Sequence, residues 1–195
     1  MLNQEMYHDI IEALAAALDA KDVYTAGHST RVGNMAYELG KKLKLDDYTL
    51  QMIHIAGHLH DIGKIGVPDN VLNKKGKLDE HEWMQMKMHS EIGYNILKNT
   101  NSLKEIARIV LYHHEKWNGT GYPSKLSKNE IPLGSRIITL CDSIDAMRSK
   151  RPYKQVISNI DCYNEILKNK EIMYDPKITD CLIENWNVIV TPQYS

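Results

Sequence analysis

Apolar side chains recur at steps of three and four residues along most of the chain. The first such run contains Ile10, Ile11, Leu14 and Leu18. Runs with the same spacing lie at residues 32–43, 50–59, 83–97, 103–112, 135–147, 156–168 and 178–186. This period is that of an amphipathic α-helix with one buried face. Strand signals are weak, because Phe is absent and no two alternating apolar runs are joined by a tight turn. The pattern predicts an all-α fold.

Two long polar stretches interrupt the helical pattern. Residues 63–78 contain GVPDN and NKKGK, and residues 116–134 contain NGTGYP and IPLG. Gly, Pro and Asn end helices and form turns, and Pro152 and Pro176 mark two further breaks. Irregular segments of this length are uncommon in a compact domain and are often functional. We therefore expect a helical bundle with two long functional loops.

The length of 195 residues suits one domain with a sizeable core. We predict a single domain over residues 1–195, with an N-terminal helix at 1–20, a motif-bearing core at about 20–176 and a C-terminal helix at 177–190. The sequence leaves open whether the N-terminal helix caps the domain or forms a homodimer.

Charge, hydropathy and cysteine content argue against a DNA-binding, membrane or disulfide-bonded protein. The 24 Lys and Arg residues nearly balance the 25 Asp and Glu residues, so the overall charge does not favour DNA binding. No apolar run is long enough for a signal peptide or a membrane span. Cys141, Cys162 and Cys181 are odd in number and widely separated, which favours reduced core thiols. We expect a cytoplasmic protein that binds neither DNA nor membrane.

Two histidine clusters are the strongest candidates for chemistry. His60 and Asp61 stand at the end of a predicted helix, and an imidazole beside a carboxylate suits a first-row divalent metal. Such a pair alone is more often a hydrogen-bonded helix end. His113, His114 and Glu115 also follow an apolar helix and enter a glycine-rich loop. Adjacent histidines are rarely core residues, because burying both leaves polar nitrogens to satisfy.

Further candidates lie between and beyond these clusters. His89 falls between them, and Asp142 follows the apolar run at residues 137–141. Side chains from several helices can line one cavity in a helical bundle. The spacing alone leaves open whether these residues converge.

The motifs that carry these residues follow the order found in one family. They are GHSTRV at 27–32, HLHDIGKIGVPDNVL at 58–72, MKMHSEIGYNIL at 86–97, HHEKWNGTGYP at 113–123 and IPLGSRIITLCDSIDAMRSKRPYK at 131–154. Together they resemble the HD-GYP group of the HD metal-dependent phosphohydrolases over about residues 20–176. A set of ordered motifs is far more specific than any one short pattern.

The resemblance implies a single HD domain with two divalent metal ions, iron or manganese. It implies that the first ion is held by His28, His60, Asp61 and Asp142. It implies that the second is held by His89, His113 and His114, with Asp61 bridging the two ions. The implied activity is hydrolysis of cyclic di-GMP to pGpG by a hydroxide between the ions. Whether the reaction continues to GMP stays open.

The resemblance also implies residues that contact substrate. Lys64, one turn beyond Asp61, would direct its ammonium at a phosphate oxygen in a catalytic and binding role. Arg151 and Lys154 would grip the phosphate. Tyr122, in the GYP motif, would present its ring or hydroxyl to a guanine or to a protein partner. Diguanylate cyclase domains are the partner that this motif implies.

The chain departs from the family pattern at three places. Tyr24 stands where one branch has a glutamate that helps bind a third metal, so we predict two metals. Asn118 stands where family members commonly have Asp, which removes a charge from the GYP loop. The segment EIMYDP at 171–176 replaces a late glycine-and-phenylalanine motif, and we predict a structural role for it.

Several other polar residues have predicted supporting roles. Asp145 is expected to hold a ligand or a phosphate-gripping base, with a helix-surface salt bridge as the alternative. Glu115 is expected to orient one of the tandem histidines. His54 and His58 are assigned to packing or to the surface, and His81 to the solvent.

Two other functions remain open alongside cyclic dinucleotide hydrolysis. One is a general HD nucleotide phosphohydrolase that acts on a mononucleotide or an alarmone. The other is a cyclic dinucleotide sensor or docking module without hydrolysis. The complete ligand set and the tandem histidines favour hydrolysis, but they do not distinguish cyclic di-GMP from cyclic GMP-AMP.

Overall fold

Helices make up nearly all of the regular structure in this computed structural model, which describes residues 4–22, 27–149 and 156–194. These residues form α1 Gln4–Lys21, α2 His28–Lys42, α3 Asp47–Leu59, α4 Asp69–Leu72, α5 Glu80–Lys87, α6 His89–Leu97, α7 Lys104–Tyr112, α8 Leu133–Arg148, α9 Asn159–Lys168, α10 Pro176–Glu184 and α11 Trp186–Ile189. Short 3-10 helices lie at Ile62–Gly66, Asn101–Leu103, Lys128–Glu130 and Thr191–Tyr194. Apart from one isolated bridge between Lys170 and Tyr174, the described residues contain no β pairing. The predicted all-α fold is confirmed.

One apolar core holds the bundle together. Helix α3 packs against α2, α7 and α8, and α9 covers α8. Met35, Ile53, Val110 and Ile137 are among the fully buried side chains that these helices contribute. Because each lies on the apolar face of its helix, burial of that face supplies the main driving force for packing.

Polar residues fix where several helices begin. Asp46 accepts a hydrogen bond from the Thr49 amide at 3.0 Å and so caps α3. Asp79 and Glu82 form a reciprocal capping box at the start of α5. Pro176 is the first residue of α10, one residue before the predicted start of the C-terminal helix, because proline is well suited to a first helical turn.

The prediction of one helix over residues 83–97 is wrong. Helix α5 ends at Lys87 and α6 begins at His89. His89 Nδ1 lies 2.7 Å from the Met86 carbonyl oxygen, and Ser90 Oγ donates to the Lys87 carbonyl at 3.2 Å. Side chains therefore compete with backbone amides for carbonyls that a continuous helix would use.

The two long loops differ in how much regular structure they contain. Residues 63–78 include most of a 3-10 helix and all of α4, which carries a small second apolar cluster around Val71. Residues 116–134 are mostly irregular and are anchored by backbone hydrogen bonds. Trp117 N donates to Met173 O at 3.1 Å, and Asn118 N donates to Ile172 O at 3.0 Å. Residues 171–176 thus have the structural role predicted for them.

The C-terminal helix predicted at 177–190 is present as two helices. Helix α10 ends at Glu184 and α11 begins at Trp186. Between them, the side-chain amide of Asn185 donates to the Cys181 carbonyl at 2.9 Å. An asparagine that bonds to the preceding turn is well suited to end a helix.

Candidate metal centre

The histidines and aspartates expected to converge do so, in two adjoining groups. Among the described residues, the first group is His28, His60 and Asp142, and the second group is Asp61, His89, His113 and His114. Within each group the possible ligand atoms lie within 4.8 Å of one another. His60 and Asp61 are neighbours in the chain, so the two groups adjoin at this dipeptide.

Helix ends carry nearly all of these side chains. His28 is the first residue of α2, and His89 is the first residue of α6. His60 and Asp61 directly follow α3, and the tandem histidines directly follow α7. Asp142 differs, because it lies within α8. The helical bundle therefore brings several helix ends to one place, as the motifs predicted.

Gly63 permits the close approach that joins the two groups. It follows Asp61 by two residues, and a Cβ at this position would overlap the backbone carbonyl of His89. Any larger residue would therefore push the segment that carries Asp61 away from α6. The glycine in the HDIGK motif is needed for this contact.

Backbone carbonyls orient three of the histidine rings. The Nδ1 atoms of His60, His89 and His113 lie 2.7, 2.7 and 2.6 Å from the carbonyl oxygens of Gly57, Met86 and Val110. A carbonyl only accepts hydrogen bonds, so we assign the ring proton to Nδ1. The Nε2 lone pair of each ring then faces the centre of the site.

The Nε2 atoms of neighbouring histidines face each other at distances that suit a cation bound between them. His28 Nε2 lies 3.2 Å from His60 Nε2, and His89 Nε2 lies 3.3 Å from His113 Nε2. Two lone pairs do not form a hydrogen bond, so two neutral rings in this arrangement need a cation or a hydrogen-bond donor between their nitrogens. Neutral imidazole nitrogen is a common ligand of first-row metals. The donor set therefore fits a divalent metal site.

Burial keeps the histidines of the second group neutral. Burial lowers the pKa of His89, and it holds the pKa values of His113 and His114 well below the ordinary histidine value. Neighbouring histidines lower the pKa values of His113 and His114 further. Neutral rings can offer Nε2 to a metal at neutral pH.

Asp61 lies between the two groups. Its Oδ2 is 3.5 Å from His60 Nε2 and 3.7 Å from His28 Nε2, while its Oδ1 is 3.5 Å from His89 Nε2. Burial would raise the pKa of Asp61, but the positive charge of Lys64 is the largest of the effects that hold it well below its usual range. One carboxylate oxygen thus faces each group.

Lys64 lies at the site, but its ammonium contacts carboxylates. Its Nζ is 2.8 Å from Asp61 Oδ2 and 2.9 Å from Asp22 Oδ2. Burial disfavours the charge, yet the two carboxylates raise the pKa of Lys64 above its ordinary value. Asp22 was not identified from the sequence, because no motif includes it. Lys64 has three hydrogen-bond donors, so one remains for another acceptor.

Asp145 supports the first group, as one of its predicted roles required. It is fully buried, and its Oδ2 lies 2.7 Å from His28 Nδ1. Arg31 Nε donates to Oδ1 at 2.6 Å, and the Tyr194 hydroxyl donates to the same oxygen at 2.6 Å. Burial alone would raise the pKa of Asp145, but the bonds from His28 and Arg31 lower it. Burial lowers the pKa of His28, but the bond to Asp145 and the negative charges of Asp142 and Asp61 together raise it above the ordinary value. Sequence reasoning gave no role to Arg31 or Tyr194.

Tyr122 stacks on the second group. Its ring centroid is 4.8 Å from that of His114, with 27° between the planes. Gly121 makes this possible by close approach, because a Cβ there would overlap the backbone of His114 and Glu115. The φ of Gly121 lies outside the left-handed region, so the close approach and not a positive φ requires glycine here.

A pocket of about 160 Å³ lies beside Tyr122. Its apolar wall is formed by Met84, Met88 and Pro123, and its polar groups come from Lys87 and Glu91. Met84 and Met88 are more than half exposed, at 59% and 52%. These methionines are therefore near-surface residues.

Glu115 has a different role from the predicted one. Its Oε1 accepts a hydrogen bond from Ser124 N at 2.6 Å, so it holds the chain beyond the GYP motif rather than a histidine ring. Asn118 fixes the same loop: its Oδ1 accepts from Thr120 N at 3.1 Å and from Thr120 Oγ1 at 2.7 Å. Both residues shape the loop that carries Tyr122.

The remaining predicted residues lie elsewhere. His54 and His58 face each other, with 3.2 Å between their Nε2 atoms, and belong to neither ligand group. His58 is buried and His81 is exposed. Tyr24, Arg151 and Lys154 fall outside the described residues, so their predicted roles stay predictions.

The chain is similar to known proteins over most of its length. The HD domain family matches residues 12–178 of the chain. A cyclic di-GMP phosphodiesterase of Thermotoga maritima is 36% identical over 183 residues, which cover 93% of this chain and 50% of that protein. The 3'3'-cGAMP-specific phosphodiesterase 2 of Vibrio cholerae is 35% identical over 189 residues, which cover 96% of this chain and 36% of that protein. The chain thus spans half or less of the length of these relatives.

The fold also has a solved counterpart. An HDG"Y"P protein from Bdellovibrio bacteriovorus superposes with a TM-score of 0.71 at 15% identity, covering 95% of this chain and 65% of that one. At this low sequence identity, the structural similarity supports only a shared fold. No helix among the described residues is long and apolar enough to cross a membrane. The resemblance to the HD-GYP group is confirmed, and the chain belongs to the HD domain family.

Proposed function

We propose that this chain is a metal-dependent phosphodiesterase that hydrolyses cyclic di-GMP to pGpG. The observation that carries the proposal is Asp61, whose two carboxylate oxygens face one ligand group each at 3.5–3.7 Å. A carboxylate shared between two histidine-rich groups is suited to a pair of divalent ions. Two relatives named as cyclic dinucleotide phosphodiesterases support this class of substrate.

In this proposal seven side chains hold two metal ions, iron or manganese. The first ion is held by His28, His60, Asp61 and Asp142, and the second by Asp61, His89, His113 and His114. When bound, such ions neutralise charge on phosphate oxygens and activate water for attack on phosphorus. The bonds from Nδ1 to backbone carbonyls keep three of the rings fixed, so the ligands are oriented in advance.

Lys64 and Tyr122 would position the substrate. Lys64 places a buried positive charge beside Asp61, where its remaining donor can bind a phosphate oxygen. Tyr122 offers an aromatic ring next to His114, and the pocket beside it has an apolar wall with Lys87 and Glu91 at its polar edge. Such a slot suits a nucleobase, whose flat ring stacks on aromatic side chains and whose edge hydrogen-bonds to polar ones. Arg151 and Lys154 remain predicted phosphate contacts.

Turnover measurements test the proposal directly. The protein is purified without oxygen, loaded with Mn²⁺ or Fe²⁺ and incubated with cyclic di-GMP, and the products are identified by mass spectrometry. We expect pGpG, and loss of turnover in folded His60→Ala and His113→Ala variants. His81→Ala is the matched control, because His81 is exposed and outside both groups. Activity that survives complete metal removal would contradict the proposal.

The same assay separates the alternatives. Faster turnover of 3'3'-cGAMP would change the substrate but not the chemistry. Turnover of ppGpp or deoxynucleoside triphosphates in place of cyclic dinucleotides would indicate a general nucleotide phosphohydrolase. Binding of cyclic di-GMP without hydrolysis, with excess metal present, would indicate a sensor.

The predicted diguanylate cyclase partner is a separate proposal. Trp83, Met84 and Met88 expose apolar surface beside Tyr122, with exposed fractions of 47%, 59% and 52%. Exposed aromatic and methionine side chains are enriched at interfaces. Loss of binding to a purified diguanylate cyclase domain in Trp83→Ala would support the proposal, and unchanged or absent binding would contradict it. The cytoplasmic location and the homodimer stay predictions.

A further inference from the structure

The last described segment of the chain packs back onto the bundle near the first ligand group. After α11, Val190 is fully buried and residues Thr191–Tyr194 form a 3-10 helix. The Tyr194 hydroxyl donates a hydrogen bond to Asp145 Oδ1 at 2.6 Å. Burial raises the pKa of Tyr194, so the phenol stays protonated and able to donate. The C-terminal segment is therefore tied to a fully buried carboxylate.

Two arginines hold the ring of Tyr194 in this position. The guanidinium carbon of Arg148 lies 5.2 Å from the ring centroid, and that of Arg31 lies 5.9 Å from it. Both distances are in the range of attraction between a cation and an aromatic face. Arg31 also donates two hydrogen bonds to Asp145, at 2.6 and 3.1 Å. The ring is thus part of the arrangement that surrounds Asp145.

Asp145 connects Tyr194 and Arg31 to His28 through a hydrogen bond. Its Oδ2 lies 2.7 Å from His28 Nδ1, and the Nε2 of the same ring faces His60 and Asp142 at 3.2 and 3.4 Å. A carboxylate that accepts the Nδ1 proton fixes both the tautomer and the tilt of a histidine ligand. The position of Asp145 in turn depends on the donors that surround it.

We propose that Tyr194 is a positioning residue for the first ligand group, and that it acts through Asp145 and His28. The proposal rests on the metal-binding role proposed above for His28, but not on the identity of the substrate. Removing a partner outside the ligand shell typically weakens metal binding by about 10–100-fold. Because Tyr194 contacts Asp145 and acts on His28 only through it, we expect a loss of about tenfold, at the lower end of that range. In the second group, His89 and His113 bond through Nδ1 to the backbone carbonyls of Met86 and Val110, so the affinity of the second site should not change.

Metal titration of Tyr194→Phe tests the proposal, because phenylalanine keeps the ring and removes only the hydroxyl. The metal-free protein is titrated with Mn²⁺ and binding is followed by electron paramagnetic resonance, with no substrate present. We expect one of two sites to weaken by about tenfold. Tyr48→Phe is the matched control, since its hydroxyl also donates to a carboxylate, Glu105, at 3.1 Å on the exposed surface. Both sites should be unchanged in this control.

Two double variants identify the affected site. In a His113→Ala background, which damages the second group, adding Tyr194→Phe should weaken the remaining site. In a His28→Ala background, which damages the first group, adding Tyr194→Phe should have no effect. Equal weakening in both backgrounds would show a general structural role, and no weakening in either would also overturn the proposal.

The outcome is separable from that of the proposed function. Two bound Mn²⁺ ions without phosphodiesterase activity would overturn the proposed function. The Mn²⁺ affinities of the wild type and Tyr194→Phe could still be compared. Normal activity with unchanged affinities in Tyr194→Phe would overturn only the positioning role. A wild-type protein that binds no Mn²⁺ would overturn both.

Discussion

The two ligand groups adjoin at one dipeptide but are oriented in different ways. In the second group, His89 and His113 bond through Nδ1 to carbonyls three residues earlier in the chain. The helix ends that carry these rings supply the bonds themselves. In the first group, His28 bonds to the side chain of Asp145, which is 117 residues away in sequence. His89 and His113 in the second group are therefore oriented locally, whereas the first group combines one locally oriented ring, His60, with one ring, His28, that depends on a tertiary contact.

This difference determines how each group can be altered. A backbone carbonyl is present whatever the side chain, so no single substitution removes the acceptors of His89 and His113. A carboxylate can be removed by substitution, and Asp145 depends in turn on Arg31 and Tyr194. The charge environment differs as well, because Asp145 raises the pKa of His28 while burial lowers those of His89 and His113. The first group is therefore open to influence from distant residues.

Asp61→Asn should have the largest effect, because Asp61 faces both groups. Asparagine keeps the shape but loses the charge that two cations would share. Metal ions of this type stabilise the transition state by several kcal/mol. Because each ~1.4 kcal/mol of activation free energy changes the rate tenfold, turnover should fall by roughly a thousandfold. Affinity for Mn²⁺ should fall at both sites in titrations of the metal-free protein. Weakening of only one site would show that Asp61 belongs to a single group.

Asp145→Asn should affect one group alone. Metal affinity at the first site should fall about 10–100-fold, because an amide is a weaker acceptor for His28 Nδ1. Arg31 would also lose its buried anionic partner, so the free energy of unfolding should drop by about 3 kcal/mol. Titration with Mn²⁺ and urea denaturation measure the two effects. Equal weakening at both sites would remove the distinction drawn between the groups.

The ligand residues could be predicted because the signals that mark them are local. His60, Asp61, His113 and His114 each stand directly after an apolar helical run, next to a glycine-rich segment. Periodicity placed those helix ends within a few residues. Spacing alone could not show that these residues meet in one site. The order of the motifs, through the family resemblance, predicted that they do.

The supporting residues could not be predicted because their contacts are distant in sequence. Asp22 meets Lys64 across 42 residues, and Tyr194 meets Asp145 across 49. Pairs of this kind have no period and no fixed spacing. The helix break at Met88 was missed for a related reason, since it depends on side-chain bonds made by His89 and Ser90.

Thr139→Val should weaken the fold next to the second group with little effect on its ligands. The Thr139 hydroxyl oxygen lies 2.6 Å from the His113 carbonyl oxygen and ties α8 to the end of α7. Leaving a buried acceptor without a partner costs about 1–3 kcal/mol, so the free energy of unfolding should fall by that amount. Thr100→Val, at an exposed position, should change it by no more than about 0.5 kcal/mol. Both values come from urea denaturation.

Because His89 and His113 keep their own backbone acceptors in Thr139→Val, both Mn²⁺ affinities should stay at the wild-type value. A selective loss at the second site would show that this group, too, relies on a tertiary contact. The contrast between local and distant orientation would then be wrong.

Asn118→Asp should have the smallest effect, although it restores the residue common in the family. Asn118 acts through Oδ1, which accepts from the amide and the hydroxyl of Thr120, and an aspartate oxygen can accept both bonds. The residue is exposed, so the added charge is screened by solvent. The free energy of unfolding should change by less than about 0.5 kcal/mol. Asn118→Ala removes the acceptor and should cost about 1 kcal/mol.

Relative turnover of cyclic di-GMP and 3'3'-cGAMP is the functional measurement for this pair of variants. If Asn118 serves only the turn, the ratio stays constant in Asn118→Asp, because the position of Tyr122 does not change. A shift of the ratio in Asn118→Asp but not in Asn118→Ala would mean that charge at this position selects the base. The loop beside the second group would then determine specificity through an exposed charge rather than through its local backbone geometry.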